Sequence, residues 1–365
     1  MLEGLLEAVC RTVYPLGGGP SMSTPNDNTR SFRPDQEEVL EVEVLAKVSR
    51  KDRVWDLHRS SCQWLAHIYQ GAEEHPKLIK RASRMDACSP ELFFDLVQEE
   101  TGVRYQLANA HFCHVRTCPV CQWRKSLRHK ARFLEAMKRL LPKIGTEVKW
   151  VFLTLTVRNC DISQLRETIK GMNEAWDRLQ RSMSKKSDWW LGWVLSTEVT
   201  FSPSEAGNSH PHFHVLIAVK PSYFHWRNYL KHEAWMALWK RSARLDYDPT
   251  VQIQSIRSKC TDGDEVSSRL KNAVAETLKY AVKPDRTLQE EEPLWLQEYA
   301  LQVDKLKFVR TGGILRGILK NDYSDEELVE GEGEEETAPA FARKRFDYAA
   351  SEERYQRRKR PGEAT

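Results

Sequence analysis

No stretch of this 365-residue chain stays apolar for the length that spans a bilayer, which argues against a membrane-spanning helix. The opening residues, Met1 to Leu16, are mildly apolar but carry Glu3 and Glu7 where a secretory signal is basic. No export is therefore expected, and a cytoplasmic location is. A secretory setting that would pair the eight cysteines as disulfides is missing too, so their clustering points to metal. No βαβ pattern surrounds Cys118-Pro119-Val120-Cys121, which disfavours a thioredoxin-like redox pair. Core-forming residues are not scarce. A hydrophobic share of 40% and twelve tryptophans imply a packed body of one large or two ordinary domains.

The net charge of +4 is unevenly spread: from Asn321 onward there are eight Lys/Arg against thirteen Asp/Glu, which leaves +9 on the first 320 residues. A basic body with an acidic appendage suggests a polyanion-binding surface. Residues 1–35, rich in Gly, Ser, Asn and Pro, read as a disordered arm. Residues 36–145 read as a helical region that includes a cysteine module at 88–121. Residues 146–320 form a second domain, and 321–365, an acidic run followed by a basic one, is expected to be disordered.

In the cysteine module, Cys113 precedes the Cys118-Pro119-Val120-Cys121 knuckle by five residues. Two thiolates of such a knuckle reach one ion, and a tetrahedral Zn²⁺ needs four ligands. Cys88 is the preferred fourth, with His111, His114 or His129 as substitutes. Trp123 to Leu141 reads as a helix whose Leu127, Phe133, Leu134, Met137 and Leu141 are apolar and whose remaining face is basic. Such a helix can track phosphates, and a solvated basic face is the plain alternative.

The second domain alternates in kind. Trp150 to Val157 is an apolar β-branched strand, Ile162 to Met183 a helix, and Gly192 to Phe201 a strand joined by a Pro/Ser/Gly/Asn loop to a histidine-rich strand. Tyr223 to Ala243 then reads as a helix, Val251 to Ile256 as a strand and Glu265 to Val282 as a helix stopped by Pro284. The series β-α-β-β-α-β-α is the split βαβ plan of a ferredoxin-like antiparallel sheet, an α+β fold, with one extra helix.

Three of the eleven histidines, His210, His212 and His214, fall on alternate positions of one strand and so share a face, while Phe213 and Val215 face a core. A merely polar exposed face is the plain alternative. If the hairpin turn centres near Glu205, antiparallel register sets Glu198 opposite His212. Two imidazoles and a carboxylate suit Mg²⁺ or Mn²⁺, and Zn²⁺ less well. A slip of one residue would turn Glu198 away and leave His210 as the third ligand. On the last helix, Arg269, Glu276, Tyr280 and Lys283 share one flank, and Glu276 and Tyr280 are i and i+4 neighbours. A phenol beside a carboxylate and a lysine can attack phosphorus when a metal polarises the phosphate; a core-edge tyrosine beside a solvated ion pair is the simpler reading of these residues alone.

Phe152-Leu153-Thr154-Leu155-Thr156, His210-Pro211-His212-Phe213-His214 and Lys279-Tyr280-Ala281-Val282-Lys283 resemble, in order, the three motifs of rolling-circle replication initiators of the HUH endonuclease superfamily. The cysteine knuckle with Gln122-Trp123-Arg124-Lys125 resembles the cysteine segment of the Rep family of small bacterial plasmids, and the likeness extends over about residues 85 to 320. The resemblance implies His212 and His214 as metal ligands and Tyr280 as the nucleophile that nicks one strand, holding the 5′ phosphate and leaving a 3′ hydroxyl. It implies Glu276 as the activator of water at termination, a host helicase and polymerase as partners, and a single strand held by phosphate contact and base stacking, for which Arg124, Arg128, Trp226 and Arg227 are candidates. An HUH-type transposase, or a non-catalytic zinc-dependent DNA-binding regulator, are the alternatives.

Overall fold

The computed structural model describes residues 42–201, 207–256, 268–278, 292–319, 324–330 and 339–358. The expected disordered arm at 1–35 lies outside these residues, as do Tyr280 and Lys283.

In the first half, β1 (Val42–Val44) and α1 (Leu45–Val48) lead through a short 3-10 turn to α2 (Val54–Gln70) and α3 (Pro76–Asp86). The hairpin β2 (Glu91–Glu99) and β3 (Gly102–Ala110) follows, and then α4 (Pro119–Leu140), which begins inside the cysteine knuckle with proline at its first helical position. The second half holds β4 (Lys149–Thr156), the short β5 (Cys160–Asp161), α5 (Leu165–Lys186), and the hairpin β6 (Trp190–Phe201) and β7 (Asn208–Val219). It continues with α6 (His232–Ala243), β8 (Val251–Ile256) and α7 (Ser268–Thr277). The remaining described elements are α8 (Pro293–Gln302), β9 (Val309–Gly313), α9 (Asp325–Glu330), β10 (Ala340–Ala349) and β11 (Arg354–Arg358).

The second sheet runs β8-β4-β7-β6-β9, with β5 on β7, and its pairings are antiparallel. Each βαβ crossover skips one place, and an antiparallel strand fills the gap. This is the split arrangement of a ferredoxin-like α+β sheet, extended at one edge by β9. Close approach of β9 depends on missing side chains: a Cβ on Gly312 would lie 2.4 Å from the Trp193 ring, and one on Gly192 would lie 2.8 Å from the Gly312 carbonyl.

The two faces of this sheet differ. Leu153, Leu155, Leu195, Phe213, Val215 and Ile217 pack against Trp176 of α5 and Trp235 and Trp239 of α6. The opposite face carries Trp150, Val194, Leu216 and Ala218 under Phe133 and Met137 of α4 and Leu270, Val274 and Leu278 of the α7 region. Burying those last three side chains is worth on the order of 5–9 kcal/mol of gross hydrophobic free energy, enough to fix α7 across the sheet. By the alternation of β7, His212 and His214 stand on this α7 side.

One expectation about a helix changes. The stretch expected to be helical from Tyr223 forms a 3-10 turn at Pro221–Phe224 and a loop, and α6 begins only at His232. Tyr223 is buried and bonded to Trp235 Nε1 at 3.2 Å, which fixes the turn instead of continuing a helix. Of the expected Glu265 to Val282 helix, Ser268–Thr277 is helical, and 265–267 and 279–282 lie outside the described residues.

The larger correction concerns the tail. Within residues 321–365, expected to be disordered, β10 and β11 are strands of the first sheet, whose order is β1-β11-β10-β2-β3. The basic run forms a strand because acids meet it across the ladder. Arg343 Nε lies 2.6 Å from Asp95, Arg345 2.7 Å from Glu91 and Lys344 Nζ 2.9 Å from Glu43, while Phe346 and Tyr355 are fully buried. Residues of α8 and α9 (Trp295, Tyr299 and Leu328) join the same core. The first module is therefore built from residues 42–145 together with pieces from 293 onward, and the 36–145 boundary is too narrow.

Candidate metal and DNA-processing site

The hairpin pairs Glu198 directly with His212 and Ser196 with His214, the register that a turn centred on Glu205 requires. Glu198 Oε2 lies 2.8 Å from His214 Nε2 and 3.4 Å from His212 Nε2, so both imidazoles converge on one carboxylate oxygen. All three residues offer ligand atoms within 4.8 Å of one another, and Glu198 and His214 are buried. The outward ring nitrogens are also held: His214 Nδ1 by Thr154 Oγ1 at 3.3 Å and His212 Nδ1 by the His210 carbonyl at 3.3 Å. An imidazole whose Nδ1 is occupied by a backbone or side-chain oxygen presents Nε2 as the ligand atom, the usual outer-shell arrangement of a metal site. The donor set therefore fits a divalent ion. His210, the alternative third ligand, stands outside this set. Its Nδ1 bonds Asn159 Oδ1 at 2.8 Å, and burial together with the neighbouring His212 lowers its pKa.

Phe152 stacks on the His214 ring, with centroids 5.5 Å apart and planes 21° from parallel. A cleft of about 430 Å³ opens beside it between β8 and α7, lined among others by Gln254, Ile256, Arg269, Asn272 and Glu276. Glu276 is exposed on α7 and lines this cleft. Tyr280 and Lys283, its expected companions, lie outside the described residues.

The second cluster joins Cys88, Cys113, Cys118 and Cys121, all buried. The Cys88 sulfur is 3.7 Å from Cys118 and 3.8 Å from Cys121, and Cys113 is 3.6 Å from Cys121. Hydrogen bonds from the surrounding thiols, Cys113 first, drive the Cys88 thiol down, while burial pushes Cys118 up. Four buried sulfurs at such spacing could all ligate one cation, whose charge would favour their thiolate forms, and this set is compatible with metal binding. The histidine substitutes are not drawn in: His114 bonds Asp325 at 2.6 Å and His111 is largely exposed. Cys62 of α2, unassigned from the sequence, places its sulfur 3.4 Å from Cys118.

The expected DNA-binding residues separate into two kinds. Arg124 is buried and donates to the Leu328 and Val329 carbonyls at 2.7 and 2.6 Å, with its guanidinium over the rings of Trp55 and Trp123. Arg128 pairs with Glu330 at 3.2 Å and with Glu135 at 3.5 Å. Both therefore serve to dock α9, and the basic face of α4 is partly covered by that acidic helix. Trp226 is 76% exposed with the Arg227 guanidinium 4.9 Å over its ring, in the loop that follows the C-terminal end of β7. Sequence reasoning missed Thr154, Asn159 and Phe152, the partners of the histidines. Thr154 and Phe152 sit in the Phe152 to Thr156 motif, but only the pairing of Thr154 with His214 reveals the contact.

The family model described as Replication protein (Rep_1) matches residues 104–356. Among curated proteins, the chain is similar to a Protein rep of Bacillus amyloliquefaciens, 36% identical over 246 residues, covering 64% of this chain and 70% of the relative. It is similar to a Protein rep of Streptococcus pneumoniae serotype 2, 34% identical over 236 residues, covering 64% and 69%. A Replication protein of Staphylococcus aureus is 31% identical over 197 residues, covering 52% and 81%. No solved structure matches the chain.

Proposed function

Because the chain belongs to the Rep_1 family of replication proteins, we propose that it initiates rolling-circle replication of a plasmid by nicking one DNA strand at the origin. The observation that carries this reading is the convergence of His212, His214 and Glu198 on the sheet face crossed by the helix that bears Glu276. A Mg²⁺ or Mn²⁺ ion held by these three residues would polarise the scissile phosphate. Glu198 and Thr154 orient the His214 imidazole, and the His210 carbonyl orients that of His212.

In the proposed chemistry the Tyr280 phenol loses its proton to solvent and its oxygen attacks phosphorus, the bond from phosphorus to the 3′ oxygen breaks, and that oxygen takes a proton from solvent to leave as a 3′ hydroxyl that a polymerase extends. Lys283 offsets the phenolate charge. At termination Glu276 accepts a proton from water, which hydrolyses the phosphotyrosine link; a carboxylate there acts as general base where a second phenol would form another covalent bond. Cys88, Cys113, Cys118 and Cys121 would hold Zn²⁺, which would fasten the start of α4 to the first module. A host helicase and polymerase complete the replication assembly.

Incubation of supercoiled origin DNA or a labelled single strand with Mn²⁺ tests the reading. Wild type is expected to cut and form a protein–DNA adduct, Tyr280→Phe to do neither, and Glu276→Ala to cut while adduct accumulates. Cutting with adduct formation by Tyr280→Phe would reassign the nucleophile, and normal release by Glu276→Ala would remove its hydrolytic role.

A further inference from the structure

We propose that the cleft between β8 and α7 is a nucleobase pocket that reads one unstacked base beside the scissile phosphate, with Gln254 and Asn272 as the specificity-determining residues. The inference rests on the nicking reading for the position of the phosphate and adds a recognition site to it.

The cleft measures about 430 Å³, within the roughly 300–1,000 Å³ typical of sites for small organic groups. Its walls have the two properties that a base requires. Phe152 and Ile256 supply apolar surface, and the aromatic face of Phe152 offers a stacking platform. Gln254, Asn272 and Arg269 supply convergent polar groups, and none of the three forms a side-chain hydrogen bond or ion pair within the described residues. A carboxamide presents one donor and one acceptor side by side, which matches a base edge and best fits N6 and N7 of adenine. Two carboxamides, one from the strand and one from the helix, can therefore grip an edge while the ring lies on Phe152.

Location links this pocket to the chemistry. Phe152 stacks on His214, and His214 is bonded to Glu198, so pocket and metal ligands share a wall. Glu276 lines the same cleft. A single strand crossing the sheet face with one base in the cleft would set its neighbouring phosphate beside His212 and His214. Arg269, a delocalised cation at the cleft, suits the phosphate on the other side of that nucleotide. The pairings Phe152 with Gln254 and Thr154 with Gln252 show that Gln254 stands on the histidine side of the edge strand β8.

The test uses a randomised library of single strands about 20 nucleotides long, bound to the full chain in chelator and sequenced, with a parallel arm cut in Mn²⁺. Wild type is expected to enrich one base at a position next to the cut. Gln254→Ala, Asn272→Ala and their combination are expected to lose that preference by about tenfold or more while keeping preferences elsewhere. Both residues are exposed, so these changes leave the core intact. Arg269→Ala is expected to weaken binding for all sequences alike. Retention of the preference in the double variant overturns the pocket, as does a loss spread equally over every position. Cutting without base preference in wild type refutes the pocket and spares the nicking reading. Base preference in chelator without cutting in Mn²⁺ refutes the nicking reading and spares the pocket.

Discussion

Arg124→Met separates two jobs that a basic helix can perform. Methionine keeps much of the side chain's apolar stem but removes the guanidinium that lies over Trp55 and Trp123 and donates to the Leu328 and Val329 carbonyls at 2.7 and 2.6 Å. A hydrogen bond from a charged donor contributes about 1.5–3 kcal/mol net, and the abandoned carbonyls lie in a buried or partly buried setting, so the two losses together come to about 3 kcal/mol or more. At about 1.4 kcal/mol per factor of ten, amide hydrogen exchange in α9 should quicken by about a hundredfold. DNA affinity and its salt dependence should hardly change, because the residue touches the protein's own backbone. The reasoning is refuted if exchange in α9 stays at the wild-type rate. It is also refuted if the slope of log affinity against log salt becomes shallower by about one, the signature of a lost phosphate contact.

Thr154→Val should leave the fold intact and weaken divalent metal binding by about 10- to 100-fold, measured by calorimetry, since it frees His214 Nδ1. Cys118→Ser should abolish about one equivalent of bound zinc per chain, read by elemental analysis; zinc retained at wild-type level would contradict the assignment of that sulfur. Burial alone would raise the pKa of Glu43, but hydrogen bonds from Arg357 and Lys344 hold it below its ordinary value of 4.5. Its contribution is therefore fully present above that value and is lost as pH falls through the depressed one. Proteolysis near β11 should accelerate on acidification across that window, and Glu43→Gln should be sensitive already at neutral pH.

The core of the candidate site is legible in the sequence because it depends on local geometry. His212, His214 and Glu198 lie on one hairpin, where alternation and turn position determine both face and register. The sheet order follows likewise from the sequence of elements. The tail and the basic helix are not legible, since their partners are remote: Arg343 meets Asp95 from 248 residues away and Arg124 meets Leu328 across 204. Composition reports charge, and charge alone does not distinguish a solvated run from a strand whose counter-charges come from elsewhere. Cys62 shows a related gap, as a lone cysteine in an amphipathic helix carries no spacing to link it with Cys118.

The pairing of Val42 with Arg358 has a consequence for the order in which the protein matures on the ribosome. The β2–β3 hairpin emerges early, yet the strand beside it, β10, follows some 230 residues later, a delay of roughly 10–50 s at ordinary rates of synthesis. During that interval the edge of β2 and the surface awaiting Phe346 and Tyr355 have no cover, while the sheet carrying the histidines can already assemble from β4, β6, β7 and β8. A chain cut short before residue 340 would thus hold its metal-ligand sheet but leave its first module unclosed. Premature termination should then yield a protein prone to chaperone capture and not simply a shorter replication protein.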